Sequence, residues 1–284
     1  MKALAEFAMR GRQQAALVAV VATALPMLFL LGAAIVGLLF LRRGWSEGVT
    51  VLPWPLLVAG LWWWLGDPTA FIVMVMVVVQ ALLLRARVSW QPVWMAGIAL
   101  ATLVMLALNL WPLAGIEQLV QITSQMMQSQ LGEQWAGVEP QVTGWLNRVV
   151  VAMLAASDLL FALLCLMLAR HWQSVLYHPG GFRQEFHGFK VARPLALLLP
   201  LTMLAGTALW PPAALWLPLL AVPFMLAAVG LVHGLVAARN LGKGWLIVFY
   251  LTLVVALPYM APLLVLAAFL DVWFLSRREL KTWE

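Results

Sequence analysis

The chain has 284 residues, of which 64% are hydrophobic and only 10% are charged. A soluble domain has about 25% charged residues, so this composition excludes a water-exposed globular protein and predicts a polytopic membrane protein. The formal net charge is +6, but the basic residues are dispersed beside apolar runs, as in membrane topology signals, and we expect no nucleic-acid partner. The single cysteine, Cys165, excludes an intrachain disulfide.

The first apolar run covers residues 15–41 and contains Pro26 near its middle. Two arginine pairs flank it, Arg10 with Arg12 and Arg42 with Arg43. A single span would place one pair outside, whereas two short segments folded at Pro26 keep both pairs in the cytoplasm. We expect this hairpin, retained as a membrane segment rather than cleaved as a signal peptide. One long, tilted, proline-kinked helix is the alternative.

Six further apolar runs are separated by glycine, proline or basic residues. We expect them to cross the membrane at residues 49–66, 68–84, 92–111, 148–170, 194–210 and 214–238. A last run, residues 245–276, is interrupted by Pro258 and Pro262 and predicts a second hairpin. The fold class is therefore an all-α, polytopic integral membrane helical bundle of about 8–10 membrane segments. We expect one domain over residues 1–284 in the bacterial inner membrane, with both termini cytoplasmic.

Two polar stretches interrupt this pattern. Residues 113–147 carry apolar side chains at helical spacing among glutamines and serines, which predicts an extracytoplasmic amphipathic segment on the membrane or over the bundle. Its charged residues before Arg148 are all acidic: Glu117, Glu133 and Glu139. Residues 171–193 predict a basic cytoplasmic loop that carries Arg183, Lys190 and Arg193.

The strongest candidate for a site residue is Asp158, near the middle of the run 148–170. A carboxylate at that depth costs at least about 2.5 kcal/mol, so it should face protein or water rather than lipid. It could bind a proton or a substrate amine, or it could be a hydrogen-bonded aspartate that ties helices together. Gln80, Asn109 and Thr207 are lone polar residues in other spans, and such residues more often form interhelical hydrogen bonds than bind ligands.

His233 and Asp271 form a second candidate for ligand binding or proton relay. Each lies six residues before a basic residue, Arg239 or Arg277, so both would sit roughly 9 Å from the cytoplasmic boundary. Equal depth allows a contact, and a histidine–aspartate pair could relay protons or fix helix packing. Asp271 could instead pair with Arg278 on the same helix face.

The sequence lacks the motifs of common catalytic sites. No Walker A run precedes Gly242 and Lys243, and no HExxH, CxxC or GxSxG motif occurs. The spans also lack the clusters of carboxylates and histidines expected of a metal-dependent membrane enzyme. We therefore expect no enzymatic activity, no metal and no cofactor, with an unrecognised lipid-processing enzyme as the alternative.

Three stretches carry a resemblance to a known family: residues 39–44 (LFLRRG), 178–186 (HPGGFRQEF) and 269–278 (FLDVWFLSRR). Together with the hydropathy profile, they resemble the YybS-like family of bacterial membrane proteins, whose function is uncharacterised. That family is distantly similar to the substrate-binding components of energy-coupling-factor vitamin transporters. Those components are small all-helical membrane proteins that need a separate ATPase and a coupling subunit. None of their ligand residues is matched here, so the resemblance implies a fold rather than a substrate.

These observations predict a transport-related membrane subunit that binds a small molecule, with Asp158 in the binding cavity, and that lacks its own ATPase. Its partners would be the lipid bilayer, a small-molecule ligand and a separate ATPase or coupling subunit. The alternative is a membrane scaffold or assembly factor. It would recruit protein partners through the basic loop 171–193 and the acidic helix 116–131.

Overall fold

The computed structural model describes residues 2–111, 113–132 and 135–274. Within these residues the protein is all-α, with fourteen α-helices, one 3₁₀ segment and no strand. Five of the described helices are long and apolar enough to cross a membrane: Thr69–Arg87, Trp90–Leu110, Val142–Tyr177, Pro211–Ala238 and Leu257–Phe274. The expectation of an all-α, polytopic membrane bundle is confirmed.

The chain forms two compact units that divide between Tyr177 and His178. The described helices of the first unit are α1 Lys2–Ala8, α2 Arg12–Ala24, α3 Phe29–Arg43, α4 Trp45–Val51, α5 Pro53–Trp64, α6 Thr69–Arg87, α7 Trp90–Leu110, α8 Ala114–Leu131 and α9 Trp135–Tyr177. Those of the second are α10 Gly181–His187, α11 Arg193–Leu209, α12 Leu217–Ala238, α13 Gly244–Val255 and α14 Leu257–Phe274. The assignment of residues 1–284 to one domain remains a prediction.

The first proline-broken run folds as the predicted hairpin, with Pro26 in the turn between α2 and α3. Gly32 of α3 packs so closely on α2 that a Cβ there would lie 3.0 Å from the carbonyl oxygen of Ala19. At the other end, Arg43 donates a hydrogen bond to the carbonyl oxygen of Met9 at 2.7 Å. The two arginine-bearing ends of the run therefore lie side by side, as the hairpin requires.

Glu47, in the short helix α4, joins these basic ends. Its carboxylate accepts a hydrogen bond from Arg43 Nη1 at 2.6 Å and lies 3.9 Å from Arg12 Nη2. The hydrogen bond from Arg43 lowers the pKa of Glu47 despite the opposing effect of partial burial, and the charges of both arginines act in the same direction. The cluster fixes both ends of the hairpin to the segment that leads into α5.

Helix α9 is much longer than the predicted span. Its 43 residues extend about 65 Å, roughly twice the thickness of a hydrocarbon core. It continues beyond residue 170 through Tyr177, so the polar loop predicted at 171–193 is shorter than expected. Trp172 is buried, and Arg42 stacks on the ring of Tyr177 at 4.2 Å. These contacts extend the helix past its apolar part.

The amphipathic helix within residues 113–147 is α8, which packs against α9. One edge of its apolar face is buried (Ile116 and Val120), and the other edge is exposed (Leu119, Ile122 and Met126). The helix therefore lies over the bundle and still presents an apolar edge. Residues 135–147 belong to α9, and Glu133 lies outside the described residues.

In the second unit, α12 packs against both α10 and α14. The close contact of α10 with α12 depends on Gly230 of α12, where a Cβ would lie 2.5 Å from the carbonyl oxygen of Phe186 in α10. The last apolar run breaks at Ala256, two residues before Pro258, whereas Pro262 is accommodated inside α14. Residues 275–284 lie outside the described part, so α14 is followed only to Phe274.

Candidate functional site

Asp158 lies inside the first unit. Asp158 is 4% exposed, so it faces the protein interior rather than lipid. Among the described residues it forms no hydrogen bond and no ion pair. A buried carboxylate without such a partner is costly, and it binds a proton, water or a polar ligand when one is within reach.

A second buried polar side chain, Gln80 of α6, lies close to the same part of α9. It is 0% exposed, and neither Oε1 nor Nε2 has a hydrogen-bond partner in the described structure. A Cβ at Gly97 of α7 would lie 2.5 Å from Gln80 Nε2 and 2.6 Å from Leu159 Cδ1. Gly97 therefore marks the point where α6, α7 and α9 meet, and Leu159 directly follows Asp158.

Trp94 provides the third polar group. It lies one helical turn before Gly97 on α7, is 1% exposed, and its indole Nε1 has no partner among the described residues. We call Gln80, Trp94 and Asp158 the polar cluster. An unpaired buried polar group costs about 1–3 kcal/mol. The three groups lie on three helices that pack against one another, and each would be stabilised by a hydrogen-bonding molecule that reached it.

The polar cluster contains both donors and acceptors of hydrogen bonds. Gln80 can both donate and accept, Trp94 can only donate, and an ionised Asp158 can only accept. In the part of the chain that the structure describes, no group of three histidine, cysteine or acidic side chains could hold a metal ion. These groups therefore match the chemistry of a ligand that carries both a donor and an acceptor.

Two other polar residues of the spans, Asn109 and Thr207, form hydrogen bonds within their own helices. Asn109 Nδ2 donates to the carbonyl oxygen of Met105 at 2.7 Å, and Thr207 Oγ1 donates to that of Leu204 at 3.1 Å. The expectation of interhelical hydrogen bonds from Asn109 and Thr207 is therefore wrong. Their side chains are short enough to reach carbonyl groups one turn back, which removes the need for a partner helix.

No hydrogen bond or ion pair joins His233 and Asp271 in the described part of the second unit. His233 Nε2 shares a hydrogen bond with the hydroxyl of Tyr250 at 2.8 Å, and its ring packs edge-on against Phe186 at 5.3 Å. Equal depth therefore did not bring the two residues together, because α13 and α10 supply the neighbours of His233. Their role in ligand binding or proton relay remains a prediction.

Asp271 pairs with a lysine of the polar loop instead. It is 1% exposed, and its Oδ1 lies 3.3 Å from Lys190 Nζ, which also donates to the carbonyl oxygen of Asp271 at 3.2 Å. Arg193 Nε donates to the carbonyl oxygen of Val272 at 3.4 Å. Cations are favourable at a helix C-terminus, so this contact fixes the loop to the end of α14. Arg278, the other predicted partner, lies outside the described residues.

The sequence pointed to only part of the polar cluster. Asp158 was identified by its charge, and Gln80 was noted as a lone polar residue in an apolar run. Trp94 gave no signal, because it is one of 16 tryptophans. Its importance comes from its place one turn from Gly97, which depends on how α6, α7 and α9 pack.

The chain matches no family model, no curated protein and no solved structure. The resemblance to the YybS-like family therefore stays a prediction that rests on the three motifs.

We expect Gln80→Leu to increase the free energy of unfolding of the washed, detergent-solubilised protein by about 1–2 kcal/mol. Leucine removes two unpaired buried polar atoms and retains most of the volume. Gln121→Leu, on the exposed face of α8, serves as the control and should change stability by less than about 0.5 kcal/mol. A clear loss of stability in Gln80→Leu would show that the amide is already well bonded within the protein.

We expect Lys190→Met to destabilise the second unit by about 2 kcal/mol, because it removes an ion-pair partner of the buried carboxylate of Asp271. Removing one partner of a fully buried ion pair costs about 3–5 kcal/mol of stability. We expect a smaller loss here because the Lys190 side chain is 28% exposed. Denaturant unfolding of both single variants and of Lys190→Met/Asp271→Asn measures the coupling. Additive effects in this cycle would contradict the ion pair.

Proposed function

We propose that this chain is a transport-related membrane subunit that binds a small molecule and depends on a separate ATPase or coupling subunit. The observation that carries the proposal is the polar cluster of Gln80, Trp94 and Asp158. These buried groups lack partners among the described residues and lie on helices that pack together. Polar residues within membrane segments are costly and are commonly functional.

The chemistry of the cluster supports a small polar ligand. Gln80 Nε2 and Trp94 Nε1 supply donors, whereas Gln80 Oε1 and the carboxylate of Asp158 supply acceptors. A ligand with an amine would also bring a positive charge to Asp158, which forms no ion pair with a described residue. Such a charge-assisted hydrogen bond is about twice as strong as a neutral one.

The absence of one motif supports the separate energy-supplying subunit of this proposal. The chain contains no Walker A motif, so an ATP-driven role requires another subunit to hydrolyse the nucleotide. The arrangement of basic residues beside the spans supports a bacterial inner-membrane location with both termini in the cytoplasm. In this proposal, the polar cluster holds the ligand and the partner supplies the energy.

We expect Asp158→Asn to lower the retention of a bound small molecule at least about tenfold. Loss of one charge-assisted hydrogen bond costs about 1.5–3 kcal/mol, and 1.4 kcal/mol is a factor of ten. Native mass spectrometry of protein purified in mild detergent from its own membranes measures the occupancy. Ser157→Ala is the control, because the Ser157 hydroxyl bonds to the carbonyl oxygen of Met153 in its own helix. Equal retention in Asp158→Asn and the wild type would reject the site.

A second function, a membrane scaffold or assembly factor, is favoured by the exposed apolar edge of α8. Leu119, Ile122 and Met126 recur at helical spacing and are 50–62% exposed. They lie beside the edge that packs on α9, so a partner helix could extend that packing. This function needs no small-molecule ligand.

We expect a variant with glutamine at Leu119, Ile122 and Met126 to lose a specific protein partner in affinity purification followed by mass spectrometry. Glutamine removes the apolar contact area while remaining a good helix former. Alanine at Gln118, Gln121 and Gln125, on the polar face, is the control and should retain the partner. Unchanged partner recovery in the first variant would remove the role of α8.

A further inference from the structure

The second unit contains an apolar groove between α11, α12 and α14. Its volume is about 800 Å³, and fifteen residues line it. Among the described residues that line it, Thr207 alone has a polar side chain, and its hydroxyl already donates within α11. The volume lies within the range of about 300–1,000 Å³ that is typical of ligand pockets. The groove therefore offers shape and apolar contact but no charged or hydrogen-bonding side chain for a polar ligand.

Prolines and alanines keep the groove open. Each of its three walls contains one proline, Pro200 on α11, Pro218 on α12 and Pro262 on α14. A proline within a helix removes a backbone hydrogen bond and bends the helix, as Pro200 and Pro262 are placed to do. Ala221 and Ala261 also line the groove, and their small side chains leave the space between the helices unfilled.

The groove has the length of one membrane leaflet. Its lining residues on α11 run from Leu199 to Thr207, a rise of about 12 Å. Half of a hydrocarbon core is about 15 Å thick. The groove adjoins the turn between α11 and α12, where the rings of Trp210 and Trp216 lie 6.0 Å apart. Tryptophans settle at the level of lipid headgroups, so the groove leads from that level into one leaflet.

We propose that this groove binds one hydrocarbon chain of a membrane lipid whose headgroup lies beside Trp210 and Trp216. A transmembrane partner helix crosses both leaflets with about 20 residues, whereas the groove covers the depth of one. Lipid tails are as apolar as the groove walls, so the bound chain is selected by van der Waals packing in a concave site. The exposed side chains of Leu204 and Leu266, 70% and 53% exposed, mark the opening through which a chain enters.

Photo-crosslinking tests this assignment in the full-length protein. The protein is reconstituted in vesicles of phosphatidylethanolamine and phosphatidylglycerol that contain a trace of phosphatidylethanolamine with a diazirine on one acyl chain. Peptide mass spectrometry after irradiation locates the labels. We expect them to concentrate on the groove residues of α11, α12 and α14 rather than on exposed residues of α13 such as Leu251 and Val254.

Two groove variants and a matched control give the decisive comparison. Ala261→Phe on α14 and Ala221→Phe on α12 fill the groove from different walls. Each should reduce labelling of the groove about tenfold, which corresponds to about 1.4 kcal/mol. Ala267→Phe makes the same change on α14 at a partly exposed residue that does not line the groove, and it should label like the wild type. Size-exclusion profiles establish which variants fold, and either groove variant is sufficient for the comparison.

Three results would overturn the proposal. Labels could be spread evenly over the exposed apolar residues, as expected for a bulk lipid shell. Labelling of the groove could persist in a folded groove variant. A dimer in the size-exclusion profile of the wild type, lost in folded Ala261→Phe, would assign the groove to a protein contact.

Discussion

The hydrocarbon core of a membrane contains no water. Each polar group inside it must therefore form a hydrogen bond within the protein or with a bound molecule. The backbone meets this condition by forming helices. Polar side chains of the spans mostly meet it locally: Ser157, Thr202 and Thr252 each donate to a carbonyl oxygen four residues earlier. Gln80 and Trp94 depart from this pattern, because their buried polar atoms have no partner in the described structure. Thr23 Oγ1 also lacks a partner, and the proposed function rests on Gln80 and Trp94 because they lie on helices that pack with the helix of Asp158.

The condition also explains which parts of the fold were predictable. The flanking arginines and the central Pro26 were sufficient to predict the α2–α3 hairpin. Flanking charge indicates which ends share a side of the membrane, and a proline without an N–H interrupts the helix at its own position. The continuation of α9 to Tyr177 was not predictable from hydropathy. It depends on tertiary contacts of amphipathic residues, such as the burial of Trp172 and the stacking of Arg42 on Tyr177.

The candidate sites show the same limit. Depth along a helix can be counted from the sequence, and it suggested a contact between His233 and Asp271. Rotation about the helix axis and the path of the neighbouring loop cannot be counted in this way. Because of this rotation and this loop path, His233 bonds to Tyr250 and Asp271 pairs with Lys190. Asp158 was predictable because a carboxylate in an apolar run is conspicuous, whereas Trp94 depends on the close packing at Gly97.

The two units use small residues and prolines to opposite effect. In the first unit, glycines bring helices into close contact: a Cβ at Gly37 would lie 2.9 Å from Val77 Cγ1 and 3.3 Å from Ala169 Cβ. Such packing excludes water and increases the cost of any polar group left without a partner. In the second unit, an apolar groove lies between three helices, and Pro200 and Pro262 lie inside two of them. The proposed polar ligand of the first unit and the proposed lipid chain of the second unit are thus argued from opposite kinds of helix packing.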